Sequence, residues 1–198
     1  MDKKIVKIIK SKSTKYQKLS DILKYIFCDI AHIDQSKYYL LGSYALRNYR
    51  TINDLDINLD HNEFFKLKLL LDKSIGKLEI YNNQIRWFFD ITKEYNKLTN
   101  SKEDDFSIEA FQKNPSDGFP NSQYSLNYLK NNNGLDKDIN NHQFFTLQTL
   151  LEWKKTMNRP KDVPDIELIQ QILSQPINTT KKTTKKTTKK STKKSTKN

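Results

Sequence analysis

A chain of 198 residues with 35 Lys and Arg against 23 Asp and Glu carries a formal charge of +12 and a single cysteine. One cysteine excludes an intrachain disulfide and a cysteine-built zinc site, and no run approaches the roughly 20 apolar residues of a membrane span. The start MDKKIVKIIKSKS has only short apolar pairs split by lysine, too little for a secretory signal, so a cytoplasmic or otherwise intracellular protein is expected, with no membrane partner.

The charge is unevenly placed. From Thr179 the chain reads TTKKTTKKTTKKSTKKSTKN, with nine lysines and no acid; subtracting +9 from +12 leaves +3 for the remainder. Nothing in that repeat can be buried to offset the entropy of folding, so the sequence predicts one domain over 1–177 and a disordered Lys-rich tail over 178–198. A lysine array on a tether favours RNA or DNA through counterion release, without base readout; a merely solubilising extension is the alternative.

In chain order, apolar residues at Leu19, Ile22, Leu23, Ile26, Phe27 and Ile30 have helical spacing and predict one buried face between Lys15 and Ile33, with Cys28 off that stripe and not a nucleophile. YYLLG predicts a short buried strand ending at Gly42. Over 54–60, Leu55, Ile57 and Leu59 alternate with Asp54, Asp56, Asn58 and Asp60, the pattern of a half-buried strand. HNEFFKLKLLLDKSIG suits a helix ending at Gly76, and KLEIYNNQIRWFFDITKE a hairpin turning at Asn82-Asn83. Parity on its second strand puts Arg86, Phe88 and Asp90 on one face and Trp87, Phe89 and Ile91 on the other, where aromatic residues serve the core.

Residues 94–141 are dominated by loop signals and yield no clear element. From His142, helical spacing at Phe144, Leu147, Leu150, Leu151 and Met157 predicts a helix; after Pro160 a second begins, with Asp162 as N-cap and Pro164 in the first turn. Together these elements describe an α/β (α+β) chain, a small mixed sheet flanked by helices. His32, His61 and His142 are isolated in sequence and are not read as metal ligands.

Two carboxylates at i and i+2 of a strand face one way and can share divalent cations, and hard oxygen ligands suit Mg2+ or Mn2+. Asp54 and Asp56 meet that condition. Gly42-Ser43 follows the short strand, where a glycine lets backbone approach a triphosphate closely and YALRNY can form a helical turn behind it.

The spacing apolar-Gly-Ser, ten residues, Asp-apolar-Asp-apolar resembles the signature of the polymerase-beta-like nucleotidyltransferase superfamily. LGSYALRNYRTINDLDI resembles its minimal and AbiEii-like branch, with Arg50 at the arginine position four residues before the first aspartate. A later stretch, LLEWKKTMNRPKDVPDIELI, is similar to that family's late segment, aligning Lys154, Arg159, Lys161, Asp162, Asp165 and Ile166. The likeness covers 38–91 and 145–173; Ile52 stands where the family often has threonine, and the glycine that usually precedes the arginine is absent.

The resemblance implies a nucleotidyltransferase-like fold that transfers a nucleoside monophosphate from a nucleoside triphosphate to a hydroxyl acceptor, releasing pyrophosphate. It implies Asp54 and Asp56 as metal ligands, and Asp90 as a third carboxylate, ligand or base, with Glu79 and Asp60 as weaker substitutes. Gly42, Ser43, Arg50, Lys154 (or Lys155) and Lys161 are the implied nucleotide-binding residues. The alternative is a degenerate version of the fold that binds nucleic acid through its tail.

Overall fold

The hydroxyl of Thr14 accepts the N–H of Gln17 and so opens the first long helix, the residue type and position expected of an N-cap. In the computed structural model, which describes residues 1–81, 84–103, 105–113 and 124–175, a short α1 (Lys3–Ile9) precedes this helix, α2 (Lys15–Leu23). The turn at Asn82-Asn83, residues 114–123 and the Lys-rich tail lie outside the described residues. The chain runs on from α2 as a π-helical stretch over Lys24–Ile30. The expected stripe holds through Phe27, each of its residues fully buried. Wider π turns then join Ala31 N–H to the Ile26 carbonyl at 3.0 Å and leave Ile30 only half-buried. Cys28 is half-buried beside Tyr38, and burial pushes its thiol pKa up, which keeps it protonated and unreactive.

Seven strands form one mixed sheet: β1 (Tyr38–Leu40), β2 (Asp54–Asp60), β3 (Lys77–Tyr81), β4 (Gln84–Asp90), β5 (Ser107–Lys113), β6 (Leu135–Lys137) and β7 (Gln143–Phe145), in the order β3-β4-β5-β2-β1-β7-β6. β2 runs parallel to β5 and β1 to β7, and the other neighbours are antiparallel. The β3–β4 hairpin forms as the alternation predicts, with Trp87 and Phe89 on the buried face. That face, with Leu55, Ile57, Leu59, Ile108 and Ala110, packs under the helix; the Phe27 ring meets Trp87 at 5.7 Å and Tyr38 at 5.4 Å. His142, fully buried, ties the same region together, with Nδ1 2.7 Å from the Tyr38 hydroxyl and Nε2 3.0 Å from the Ser20 carbonyl oxygen.

Three expectations change. The helix expected before Gly76 is broken into α3 (His61–Phe64), a 3-10 turn over Phe65–Leu67 and α4 (Lys68–Leu71). Gly76 itself lies beyond α4 at φ +75°, where an added Cβ would come within 2.4 Å of the Trp87 indole; the glycine makes room for the ring and does not cap the helix. Residues 94–141, whose sequence yields no clear element, contain most of α5 (Thr92–Thr99), β5, α6 (Leu126–Asn131) and β6. Phe144 belongs to β7, because Thr146 accepts the N–H of Thr149 and starts α7 (Leu147–Met157) only after the strand has ended.

The last helix, α8 (Val163–Ser174), follows a 3-10 turn over Pro160–Asp162 and has its proline in the first turn as expected. α7 covers the other face of the sheet at the β1–β7 end, where Phe145 stacks on Tyr39 at 5.3 Å and meets Trp153 edge-on at 6.1 Å. Asn58 is consequently buried, its amide donating to the Tyr39 hydroxyl at 3.0 Å, so β2 is covered on both sides there and half-open at Asp54 and Asp56 and again at its end, Asp60.

Candidate active site

Strand alternation sets the first feature. Leu55 and Ile57 are anchored in the core while Asp54 and Asp56 share the opposite, half-buried face. The Leu41 N–H donates to the Asp56 carbonyl at 2.7 Å, which draws the Gly-Ser step down onto β2. Gly42 takes φ +58° and opens a 3-10 turn over Gly42–Leu46; a Cβ there would stand 3.2 Å from Asp56 Oδ2. A glycine is needed at this point for both the left-handed backbone and the contact. The two halves of the sequence motif are therefore in contact in space.

The carboxylates are electrostatically strained. Burial, then the neighbouring charges of Asp54 and Glu109, pushes the Asp56 pKa up to about 7. Burial and then Asp105 push Asp54 upward as well, while Arg50 and Lys161 act in the opposite direction. Neither aspartate has an ion-pair partner among the described residues, so the cations near this face act on it only from a distance.

A chain of ion pairs ties the late motif to the early one. Arg50 donates to both carboxylate oxygens of Asp165 at 2.8 and 2.9 Å and to Ser43 Oγ at 2.6 Å. Asp165 also pairs with Lys154 at 3.0 Å; Lys154 donates to Asp162 at 2.7 Å, and Asp162 holds Arg159 at 2.6 and 3.1 Å. Burial works to raise the Asp162 and Asp165 pKa values, but hydrogen bonds from Arg159 and Arg50 respectively, and from Lys154 to both, bring them below the usual carboxylate range. Asp162 makes no side-chain cap bond to α8, because its carboxylate is turned inward to these cations.

The expected residues thus have different positions. Gly42, Ser43, Arg50, Asp54 and Asp56 come together. Lys154 is 3 % exposed and engaged by two aspartates, so it braces the site from inside instead of reaching toward a ligand. Lys161 is exposed, and its charge acts on both Asp54 and Asp56.

Asp90 is not brought to the pair. It and Asp54 flank Ser107 from opposite sides in register, about 10 Å apart at two strand spacings. The Asp90 carboxylate is exposed and accepts from Thr92 N at 2.9 Å and Thr92 Oγ1 at 2.6 Å, a local role at the start of α5. Of the substitutes, Asp60 caps α3 through Asn62 N at 2.9 Å, and Glu79 is paired with Arg86 and Lys77.

The carboxylate beside Asp56 is Glu109, in register with it on the parallel strand β5. Burial raises its pKa, and a bond from Arg86 counters that. Asp105, just before β5, repels Asp54. Sequence reasoning missed both because they lie in the segment without clear elements, although SIEAF has the same alternation as DLDIN.

Among the described residues, no group of three or more His, Cys, Asp or Glu side chains is arranged to hold a metal ion. The pair Asp54 and Asp56 offers only oxygen donors, is half-buried with no cation bonded to it among the described residues, and has the partnerless buried Ser107 Oγ in register with Asp54. Two carboxylates that need a cation suit an ion completing its shell with substrate phosphates, the habit of magnesium. No described helix is long and apolar enough to cross a membrane. Comparison of the chain with protein-family models, with curated proteins and with solved structures found no match.

Proposed function

We propose that the chain is a nucleotidyltransferase that moves a nucleoside monophosphate from a nucleoside triphosphate to a hydroxyl acceptor, with Mg2+ or Mn2+ held by Asp54 and Asp56. The observation that carries this reading is the placing of the Gly-Ser step on β2, where the Leu41 N–H bonds the Asp56 carbonyl and Gly42 lies beside a half-buried pair of acids that no cation is bonded to among the described residues. Magnesium, when bound, would neutralise triphosphate oxygens as the leaving group departs.

The chain's own residues do the rest. Gly42 leaves room for phosphate oxygens against β2, Ser43 is oriented by Arg50, and Lys161 supplies an exposed positive charge facing the acids. The acceptor oxygen forms a bond to the α-phosphorus, the bond to the β-phosphate oxygen breaks, and pyrophosphate leaves. The hydroxyl proton passes to the Asp54 carboxylate oxygen that the metal would leave open. Acceleration comes mainly from positioning and charge neutralisation. Asp90 has no part in this scheme.

The Lys-rich tail, with nine lysines and no acid, gives the same protein a means of retaining RNA or DNA. Incubating the full chain with magnesium, labelled triphosphates and a panel of hydroxyl acceptors tests the enzyme reading. Labelled product and pyrophosphate are expected, and both should vanish in Asp54→Ala/Asp56→Ala. Transfer that persists in that double variant would refute the assignment. Magnesium-independent retention of nucleic acid with no triphosphate binding would favour a binding protein on a degenerate fold.

A further inference from the structure

We propose that the cavity between the start of α2 and the segment leading to β2 seats a phosphate group carried by the acceptor, an inference that rests on the nucleotidyltransferase reading and narrows it to phosphate-bearing acceptors. The cavity measures about 300 Å³, at the lower end of the range for ligand pockets, with room for a phosphate group and part of the molecule that carries it. Its walls come from the start of α2, with Thr14, Lys15 and Tyr16, and from the segment behind the Gly-Ser turn, with Arg47, Arg50 and Thr51 among others; three of the lining residues are cations and none is an acid.

The cations are not equivalent. Lys15 is compensated, donating to Glu103 at 2.7 Å, Asn53 Oδ1 at 2.8 Å and the Asp105 carbonyl at 3.1 Å. Arg50 is paired with Asp165. Arg47 has no carboxylate partner among the described residues; its guanidinium lies 4.1 Å from the centre of the Phe144 ring and 4.9 Å from that of Tyr44, and Nη1 donates to the Tyr44 carbonyl at 3.3 Å. A half-buried arginine held against rings keeps its remaining N–H groups set in a fork that matches phosphate oxygens, with no internal acid competing for them.

The walls also fix where the cavity lies. Arg50 lines it and bonds Ser43 of the Gly-Ser step; Lys15 lines it and holds Asn53, the residue before Asp54. A phosphate seated against Arg47 therefore stands in a cavity that shares Arg50 with the Gly-Ser step and whose wall, at Lys15, is bonded to the residue before Asp54. The triphosphate is assigned to Gly42 and Ser43, which do not line this cavity, so the two anions have separate seats.

Titration of the full-length protein with inorganic phosphate, without magnesium and at fixed ionic strength, tests this. Saturable binding is expected that weakens about tenfold or more in Arg47→Ala and in Asn48→Asp, the second placing an acid at an exposed position of the cavity wall. Asp54→Ala/Asp56→Ala should bind phosphate at least as well as the parent. The lysine tail is common to all variants and cannot produce the difference. Equal binding by parent, Arg47→Ala and Asn48→Asp would overturn the proposal, as would phosphate that is displaced by magnesium triphosphate and so occupies the nucleotide's own seat. Magnesium-dependent triphosphate binding, measured on the same proteins, separates the two claims. Its indifference to Asp54 and Asp56 would sink the nucleotidyltransferase reading while the Arg47 result still stands or falls alone.

Discussion

Burial and like charge act together on Asp56, and the consequence is a pH-dependent cost to the metal-free fold. Its carboxyl titrates near 7 when folded and near 3.8 when free, so between those values the folded chain holds more protons than the unfolded one. The sign follows: this group's contribution lowers stability as pH rises from about 4 to about 7. Asp56→Asn should therefore melt above the parent at pH 8 in the presence of a chelator, by an amount on the order of a few kcal/mol at most, and match it near pH 4. Thermal melts of both proteins at the two pH values check this, and magnesium should narrow the gap by raising the parent alone. At Gly42, alanine has to adopt φ +58° with its methyl 3.2 Å from Asp56 Oδ2. Gly42→Ala should cost about 1–2 kcal/mol in urea denaturation and a larger factor in triphosphate binding, since the methyl occupies the space beside the acids. An unchanged triphosphate affinity would show that the glycine is there for the turn only.

Secondary-structure elements differ in how far their roles can be read locally. β2 was legible because period-two alternation is a property of neighbouring residues, and the same parity correctly separated Trp87 and Phe89 from Arg86 and Asp90 on β4. What parity does not contain is strand order. β5 lies between β2 and β4, so Glu109 becomes the neighbour of Asp56, and Asp90 is left to hold Thr92 at the start of α5. Asp90→Ala should therefore retain the proposed nucleotidyl transfer within about threefold of the parent while losing an N-terminal helix contact worth about 1 kcal/mol. Kinetics and denaturation of one purified variant read both effects. The α7–α8 junction is a second case. Lys154 and Asp162 are eight residues apart and Arg50 and Asp165 are 115 apart, yet they form one ionic chain, buried at Lys154, Asp162 and Asp165. Lys154→Met removes the central cation and leaves Asp162 and Asp165 buried with one partner each. A loss of about 3 kcal/mol is expected in urea denaturation, with Arg159 and Arg50 preventing complete unfolding.

Across the protein, charge is divided between a body of +3 and a tail of +9. Removing the tail should thus alter polyanion binding and leave triphosphate chemistry unaffected. A chain ending at Ile177 should bind mixed-sequence RNA about tenfold or more weakly than the full chain at about 100 mM salt, with a shallower dependence of affinity on salt. Unchanged affinity and slope would assign RNA retention to the body. Composition, the Gly-Ser to Asp-x-Asp spacing and the outward pairing of Asp54 with Asp56 could all be read along the chain, because charge, glycine tolerance and alternation are local properties. Long-range packing alone settled which acid adjoins that pair, turned Lys154 inward and gathered Lys15, Arg47 and Arg50 around one cavity, because each of these depends on strand order and on ion pairs between distant segments.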